Sequence, residues 1–503
     1  MSEDNQRSWT SGTAVVVWIA VASVVIHVAT GWRYGFDRDE LMALEDARHL
    51  AWGYVQYPPM TAFFGWVALR LFGTSLVGFR LFAALAQATA LALAGLLARE
   101  MGGTRWAVVV TALAGVPFCL GAGALMQYIS FDYVCWVFVV WCVAKVAKQD
   151  DARWWVGAGI GVGLGMQAKY TMVFLACGLV AGIVLTPMRR HLRSGWLWLG
   201  MVAAAGIFLP NFLWEWQREF VSLEFLRFLH VRDVGQGLTD WFLVGQLELT
   251  LLAAPLAVAG LWFLFFAAEG NRFRILGWMY AVPLVLFLVM RGRDYYLAPG
   301  YPMLYAAGAV WLEPRISRLV QRDGKRGAWV RRGIWTALAA DIVLAAVVAL
   351  PLAPVNSRWW KFAADVDTVF PEEIGWPEFV EAVARVRDSL PGADRESVTI
   401  LAGNYGEIGA LNLYGPQRGL PQAISGVNSS WERGYGEPSD LVIVVGYPRA
   451  LLDQEFASCV VGGRVWNLYG VANEETIEDP DIFVCRGLKG TWAEFWKKVR
   501  KFA

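Results

Sequence analysis

The chain has 503 residues, of which 57% are hydrophobic and 17% are charged. Soluble domains carry about 25% charged residues, so this composition is typical of a polytopic membrane protein. The formal net charge is +1, and a nearly neutral chain gives no indication of nucleic-acid binding. The 27 Trp residues agree with a membrane protein, because amphipathic aromatic side chains gather at the level of the lipid headgroups.

Apolar segments long enough to cross a bilayer, which takes about 20 helical residues, recur along the chain. Between residues 154 and 187 these segments are short and are divided at 167–170. This pair is either two spans or a re-entrant or broken element. No small-x-small cleavage site follows the first span, so we expect that span to be a retained anchor. About eleven spans are predicted, near 13–31, 78–98, 106–124, 131–147, 154–167, 170–187, 196–214, 242–267, 275–290, 299–313 and 333–353.

Lys and Arg residues are unevenly divided between the two sides of these spans. The side that includes the N-terminus holds more of them, above all in the cluster at 315–332. Because loops rich in Lys and Arg stay in the cytoplasm, the N-terminus is predicted to be cytoplasmic. The outer side then holds the loop 37–59, the loop 215–241 and everything after Pro354.

The first outer loop begins with three carboxylates, those of Asp37, Asp39 and Glu40. Ionised side chains are costly in hydrocarbon, so carboxylates at this depth usually face water or a cavity. One interpretation is a general base, or an anchor for one, at the outer membrane surface. The other is capping of the amphipathic helix expected over 41–52, since acidic residues stabilise a first turn. That helix and a second one over 60–72 are expected to lie along the membrane surface.

Lys169 is the second candidate, because it follows the apolar run 161–168. A lysine in so apolar a region is costly without a partner. A lipid phosphate would be such a partner. The alternative is a lysine that extends from a helix end to the membrane surface.

The stretch 291–299 offers Arg293, Tyr295 and Tyr296 at another outer exit. Guanidinium and phenol groups can hold phosphate oxygens through several charge-assisted hydrogen bonds. An interfacial anchor belt with an Arg–Asp pair has the same composition. Asp132, at a third outer exit, either orients a sugar hydroxyl or caps the fourth span.

The composition changes after Pro354, where short apolar strands alternate with helical segments. This alternation predicts a small extracytoplasmic α/β domain over 355–503, following a membrane domain over 1–354. The turn at 403–406 could cradle an anion, but no G-x-G-x-x-G accompanies it, so a nucleotide site is weakly indicated. The expected elements are a helix at 376–390 and strands at 397–402, 441–446, 459–465 and 481–485.

Cys459 and Cys485 both fall in this outer domain. In an oxidising compartment they could form a disulfide, and the sequence leaves the pairing open because geometry decides it. No His/Cys grouping has zinc-ligand spacing, and we expect the four His to be structural. No cofactor and no metal is assigned, with a divalent cation left open.

Four motifs carry a resemblance to a known family. They are Phe36-Asp37-Arg38-Asp39-Glu40, the run from Gly53 to Pro59, the run from Gly163 to Lys169, and the run from Asp294 to Pro299. In order and spacing they resemble the polytopic glycosyltransferases of family 39, which include the bacterial aminoarabinose–lipid A transferases and the protein O-mannosyltransferases. The resemblance covers roughly residues 10–350 and implies the C-type glycosyltransferase fold.

The resemblance implies an enzyme that moves a sugar from a polyprenyl-phosphate donor to an acceptor hydroxyl, with inversion at the anomeric carbon. The acceptor would be a lipid, a glycan or a protein of the envelope, reached at the outer face of a bacterial cytoplasmic (inner) membrane. Its motifs place a catalytic carboxylate on Asp39, with Asp37 and Glu40 beside it, and donor-phosphate contacts on Lys169, Arg293, Tyr295 and Tyr296.

One departure from the family pattern lies before the Pro pair. Relatives often have an acidic residue and a Lys or Gln there, where this chain has Gln56 and Tyr57. A second carboxylate or phosphate contact is therefore in doubt at this place. Gln56 stays a candidate, with Asp132, for contact with the acceptor or the sugar.

Two other functions compete with transfer. A lipid-linked sugar flippase would need polar residues at mid-membrane, often with internal repeats. No clear repeat is visible, and apart from Glu248 and Asp341 the ionisable groups gather at one face. A receptor that only anchors an outer ligand-binding domain would not need so many spans.

Overall fold

The structure is a computed structural model that describes residues 3–366 and 368–503, with side chains described from residue 12 onward. Helices make up most of the chain, and a small sheet lies towards its C-terminus. The helices up to residue 349 are α1 Glu3–Thr30, α2 Arg38–Arg48, α3 Met60–Phe72, α4 Leu76–Glu100, α5 Arg105–Ala124, α6 Tyr128–Gln149, α7 Trp154–Ala168, α8 Met172–Leu185, α9 Gly195–Gln217, α10 Val221–Gly235, α11 Phe242–Thr250, α12 Ala254–Phe265, α13 Arg274–Val289, α14 Tyr301–Arg322 and α15 Gly324–Ala349.

Among the described residues, eight helical segments are long and apolar enough to cross a membrane. A ninth results if the bent pair formed by α8 and the short helix Pro187–Arg193 counts as one span. These segments confirm the multi-span membrane protein that the composition predicted. The expected count of about eleven is larger because α7 and α8 are short. In addition, α14 carries Glu313, Arg315 and Arg318 within its length.

The glycine-rich helix α7 packs directly against α9. A Cβ atom at Gly159 would overlap the backbone of Gly200, and one at Gly200 would overlap the carbonyl of Trp155. Small residues let helix backbones approach closely within membranes. The helix ends at Ala168, and Lys169 follows in an extended conformation. The break expected at 167–170 is therefore present, and it places Lys169 at the end of a helix.

The C-terminal part forms a small domain around a five-stranded sheet. Its strands are β1 Thr399–Ala402, β2 Ile424–Ser425, β3 Leu441–Val444, β4 Phe456–Arg464 and β5 Asp481–Leu488, and its helices are α16 Arg358–Val366, α17 Val369–Glu372, α18 Trp376–Asp388, α19 Gly392–Ser397, α20 Tyr405–Tyr414, α21 Asn428–Glu432, α22 Arg449–Glu455, α23 Glu474–Ile477 and α24 Trp492–Lys498. The strand order is β2-β1-β3-β5-β4. Strand β1 is parallel to β2 and β3, and β5 is antiparallel to β3 and β4.

Four of the five strands and the helix α18 lie where the alternating pattern predicted them. The two residues of β2 are too few to give a pattern. Cys459 on β4 is opposite Cys485 on β5, and a disulfide joins them. The pairing that the sequence left open is therefore present in the structure.

The short helix α2 connects the membrane part to the C-terminal domain. It packs against α20, with the backbone of Leu41 so close to Gly409 that a Cβ there would lie 2.6 Å from the Leu41 carbonyl oxygen. Asp46 and Glu45 are almost fully buried and pair with Arg433 of the C-terminal domain. The polar face of α2 therefore packs against the C-terminal domain, and its position along the membrane surface stays a prediction.

Candidate active site

A cavity of about 830 Å³ lies where the ends of several membrane helices meet the C-terminal domain. It brings together residues that are far apart in the chain, such as Asp39 and Tyr405. Six of the nine candidate residues line it, namely Asp39, Gln56, Lys169, Arg293, Tyr295 and Tyr296. The remaining three, Asp37, Glu40 and Asp132, are not part of the lining.

Asp39 is in the first turn of α2, and its side chain reaches the cavity half-buried. Burial raises the pKa of the Asp39 carboxyl above its ordinary value. The Arg38 guanidinium, a hydrogen bond from the Tyr405 hydroxyl and the more distant Arg293 oppose this rise and favour the ionised form. A carboxylate that faces a cavity with a raised pKa is suited to accept a proton.

Lys169 enters the same cavity from the break between α7 and α8. Its Nζ lies 4.2 Å from the ring centre of Tyr296, 5.0 Å from that of Tyr295 and 5.1 Å from that of Tyr128. Ring faces attract a cation. Among the described residues, no carboxylate lies within 4 Å of its Nζ. Its ammonium therefore contacts aromatic faces directly, and the buried Asp132 carboxylate, which is not within 4 Å, acts on it electrostatically.

Arg293 supplies the second cation of the cavity. Its Nε and one terminal nitrogen each donate a 2.6 Å hydrogen bond to the Asp233 carboxylate on α10. This two-point contact fixes the plane of the guanidinium. The Arg–Asp pair that the sequence suggested exists, but its acid comes from α10 rather than from the neighbouring Asp294, which accepts from the backbone of Tyr295.

Gln56 is held at the edge of the cavity by both of its side-chain ends. Its amide nitrogen donates to the sulfur of Met42 at 3.0 Å, and its carbonyl oxygen accepts from the hydroxyl of Ser429 at 3.0 Å. Ser429 belongs to the C-terminal domain, in α21. At the position where this chain departs from the family pattern, the side chain is therefore a neutral amide. It is bound to the C-terminal domain through Ser429.

Asp37 and Glu40 have structural contacts. Asp37 is the N-cap of α2, and its carboxylate accepts from the backbone N–H of Asp39 at 2.8 Å. Glu40 is fully buried, accepts three hydrogen bonds from Arg80, and accepts another from the backbone of Met126. The capping interpretation of the acidic cluster is confirmed for Asp37, and the cap places Asp39 at the cavity. The catalytic interpretation stays a prediction.

Asp132 is buried next to the cavity rather than on its wall. Its carboxylate accepts from the indole of Trp136 at 3.1 Å and from the hydroxyl of Thr171 at 3.2 Å. It is not a helix cap, since Gln127 occupies the N-cap position of α6. Its contact with Thr171 orders the break in which Lys169 stands.

Three parts of the lining were not predicted from the sequence. Tyr128 adjoins the Asp132 motif, and its position near an outer exit was a usable signal. The helix α10 provides an apolar wall together with His230 and Arg232, although the sequence indicated only a segment near headgroups. Tyr405 lies in the C-terminal domain, beyond the region that the family motifs cover.

Known proteins resemble this chain in sequence and in structure. The family model described as dolichyl-phosphate-mannose-protein mannosyltransferase matches residues 56–214. The lipopolysaccharide core galacturonosyltransferase RgtB of Rhizobium johnstonii (strain DSM 114642 / LMG 32736 / 3841) is 26% identical over 222 residues, which are 42% of this chain and 44% of that protein. The matched region thus spans less than half of the relative's length.

The solved structure of ArnT from Cupriavidus metallidurans bound to undecaprenyl phosphate has a TM-score of 0.59 at 16% identity, and the match covers 94% of this chain and 98% of that one. The arabinofuranosyltransferase AftD from Mycobacteria gives a TM-score of 0.53 at 15% identity, over 95% of this chain and 42% of that one. The chain has the C-type glycosyltransferase fold. The resemblance to family 39 that the four motifs indicated is confirmed by these matches.

Within the C-type glycosyltransferase fold, the cavity joins the Asp39 carboxylate, several phenols and four cationic side chains, those of Lys169, Arg227, Arg232 and Arg293. Such a set can bind a phosphate while a hydroxyl beside it is deprotonated. No group of three or more His, Cys, Asp or Glu side chains that could hold a metal ion occurs in the part of the chain that the structure describes.

Proposed function

We propose that this protein is a membrane glycosyltransferase that moves a sugar from a polyprenyl-phosphate donor to an acceptor hydroxyl, with inversion at the anomeric carbon. The observation that carries the proposal is the meeting of Asp39, Lys169 and Arg293 in one cavity. These residues come from three separate outer exits, and the fold gives no structural reason for all three to face the same empty space.

The two cations account for the donor phosphate. Lys169 has no carboxylate partner within 4 Å among the described residues, and it is surrounded by three tyrosine rings. The Asp132 carboxylate interacts with this ammonium from beyond direct contact, so a phosphate in the cavity would be its first directly bound anion. Arg293 keeps a terminal nitrogen that makes no hydrogen bond to Asp233, so it can add a second contact to the phosphate.

The transfer would be a single displacement at the anomeric carbon. The acceptor oxygen gives its proton to the Asp39 carboxylate and forms the new bond to that carbon. The bond from the carbon to the phosphate oxygen breaks, and its electron pair leaves with the polyprenyl phosphate. Lys169 and Arg293 stabilise the anion that leaves, in a site where burial strengthens such contacts.

The apolar part of the cavity suits a lipid-linked donor. Leu223, Leu226 and Leu229 of α10 and Phe287 and Met290 at the end of α13 line it. The lining thus offers apolar side chains for a lipid tail as well as charged side chains for a polar head group. A polyprenyl chain bound here would bury apolar area on both sides.

The relatives narrow the donor and the acceptor. ArnT is solved bound to undecaprenyl phosphate, and RgtB is named as a lipopolysaccharide core galacturonosyltransferase. We propose a long polyprenyl phosphate as carrier and a lipid, glycan or protein of the cell envelope as acceptor. A uronic acid on the donor and a core sugar of lipopolysaccharide as acceptor are the first pair to test.

This function implies a bacterial inner-membrane protein with a cytoplasmic N-terminus and a periplasmic C-terminal domain, divided near residue 354. The uneven distribution of Lys and Arg supports this orientation. Reporter fusions test it: alkaline phosphatase fused after Ala503 should be active, and the same fusion within the basic cluster at 315–332 should not.

The decisive experiment is transfer by the purified full-length chain in proteoliposomes that contain a radiolabelled polyprenyl-phosphate sugar and the acceptor. Wild-type protein should form labelled acceptor, and Asp39→Asn should abolish the product while the protein inserts and unfolds like wild type. Movement of the donor between leaflets without product would instead show a flippase. Parallel assays with EDTA and with Mg²⁺ determine whether a divalent cation takes part.

A further inference from the structure

The C-terminal domain puts the side chain of Tyr405 into the cavity of the membrane domain, beside Asp39. Both side chains line this cavity, and the Tyr405 phenol interacts with the Asp39 carboxylate. This is a contact between the proposed catalytic base and a domain that lies outside the family motifs.

The backbone around Tyr405 is fixed by a helix N-terminus. Tyr405 is the first residue of α20, and the Asn404 side chain caps this helix by accepting from the N–H of Glu407 at 2.9 Å. In return, the Glu407 carboxylate accepts from the N–H groups of Gly403 and Asn404 at 2.7 and 3.0 Å. The turn that the sequence offered as an anion cradle therefore binds a carboxylate of its own chain, and its role is to hold Tyr405.

The ring of Tyr405 is held from the membrane side. The Arg38 guanidinium lies 4.8 Å from its ring centre and also pairs with Glu474 of the C-terminal domain. Behind the ring, α20 approaches α2 at Gly406, where a Cβ would lie 3.1 Å from the Cβ of Arg38. Arg38 immediately precedes Asp39, so one contact surface sets the positions of both the tyrosine and the carboxylate.

We infer that Tyr405 is a positioning residue for Asp39, so that the C-terminal domain completes the active site instead of only covering it. This inference rests on the proposed function. In this arrangement the hydroxyl would donate to one carboxylate oxygen, orient the group and leave the other oxygen for the acceptor hydroxyl. It also stabilises the ionised form, which is the form that takes the proton.

Several other groups act on the charge of Asp39, and a test must hold them constant. They are Arg38, Asp37 and Glu40 on its own segment, Arg293 and Tyr295 between α13 and α14, and Tyr128 on α6. None of them is altered by the substitution Tyr405→Phe, which removes one oxygen and keeps the ring under Arg38.

The test compares wild type, Tyr405→Phe and the control Tyr435→Phe as full-length chains in the transfer assay across pH. Tyr435 is in the same domain and packs against Trp492 and Trp496, away from the cavity. Tyr405→Phe should lower kcat/KM about 10-fold or more, since hydrogen bonds to charged groups are among the strong ones. The acidic limb of its pH profile should move up by about one pH unit, while Tyr435→Phe keeps the wild-type profile.

A second measurement does not depend on activity. Infrared difference spectra of wild type minus Asp39→Asn isolate the Asp39 carboxyl band, whose titration midpoint should rise in the Tyr405→Phe background. An unmoved midpoint, or an unmoved acidic limb with a uniform loss of rate, would overturn the inference. If the midpoint rises but wild type makes no product, the proposed function fails and the Tyr405–Asp39 contact stands.

Discussion

Glu40 directly follows Asp39 in the chain, yet it accepts hydrogen bonds of 2.6 to 3.1 Å from Arg80 and is fully buried, while Asp39 faces the cavity. Consecutive residues in a helix point about 100° apart, so the two carboxylates face different surroundings. One has a counter-ion and holds the loop to α4, and the other is left for chemistry.

Replacing Arg80 by Met should therefore destabilise the protein without a direct effect on the site. Removal of one partner leaves the buried Glu40 carboxylate uncompensated, which typically costs about 3 to 5 kcal/mol. Thermal unfolding in detergent measures the loss. Arg190→Met is the matched control, because the Arg190–Asp150 pair is exposed and should contribute about 1 kcal/mol or less.

The isosteric change Glu40→Gln separates stability from catalysis at the same position. It should lower the unfolding temperature and leave transfer measurable at low temperature, because Glu40 does not line the cavity. Complete loss of transfer in a protein as stable as wild type would assign a catalytic role to Glu40 and contradict the arrangement described above.

The pH dependence of transfer should report the ionisation of Asp39. A base works when it is deprotonated, so kcat/KM should rise with pH and fall off as pH drops through the pKa of Asp39. Because burial raises that pKa, the half-maximal point should lie above the ordinary value of about 3.9. A rate profile that stays flat down to pH 4 would exclude Asp39 as the proton acceptor.

Lys169→Met should reduce transfer about 10²- to 10³-fold, since it removes a cation aimed at a developing phosphate charge. The measurement is transfer at several donor concentrations, together with binding of polyprenyl phosphate. Lys145→Met is the matched control: Lys145 also contacts two aromatic rings, those of Trp141 and Trp154, but it is outside the cavity and pairs with Glu100. If both changes reduce transfer equally, Lys169 contributes through packing against aromatic rings and not through binding of the phosphate.

Arg433→Met should loosen the C-terminal domain from α2. The substitution leaves the nearly inaccessible Asp46 without its cation, while Glu45 keeps Arg48 at 3.9 Å, at a cost of about 3 kcal/mol. Limited proteolysis should then cut between the two parts faster than in wild type. Arg449→Met, which removes an exposed pair with Asp453, should keep the wild-type cleavage rate.

The disulfide between Cys459 and Cys485 should stabilise the C-terminal domain. It closes a loop with a sequence separation of 26 residues, for which the chain-entropy account gives about 3 to 4 kcal/mol. The double change of both residues to Ser should lower the unfolding temperature by a matching amount. If wild type is unfolded without reductant, alkylation should label four cysteines. If it is unfolded with reductant, alkylation should label all six.

Much of this architecture follows from local sequence. The spans can be predicted because a run of about 20 apolar residues is typical of a transmembrane helix. The strands β1, β3, β4 and β5 are visible as short apolar runs between turns. Asp39, Lys169 and Arg293 could be identified as candidates from the sequence, because an ionised side chain near hydrocarbon is costly and usually has a function.

The sequence by itself thus determined the membrane class, the small outer domain and six residues of the cavity wall. Only the tertiary structure decided which carboxylate of the 37–40 cluster is free, because Arg80, 40 positions away from Glu40, neutralises that one. It also decided that Tyr405 belongs to the site. Both are contacts between distant parts of the chain, and no local pattern encodes a partner that only packing brings within hydrogen-bonding distance.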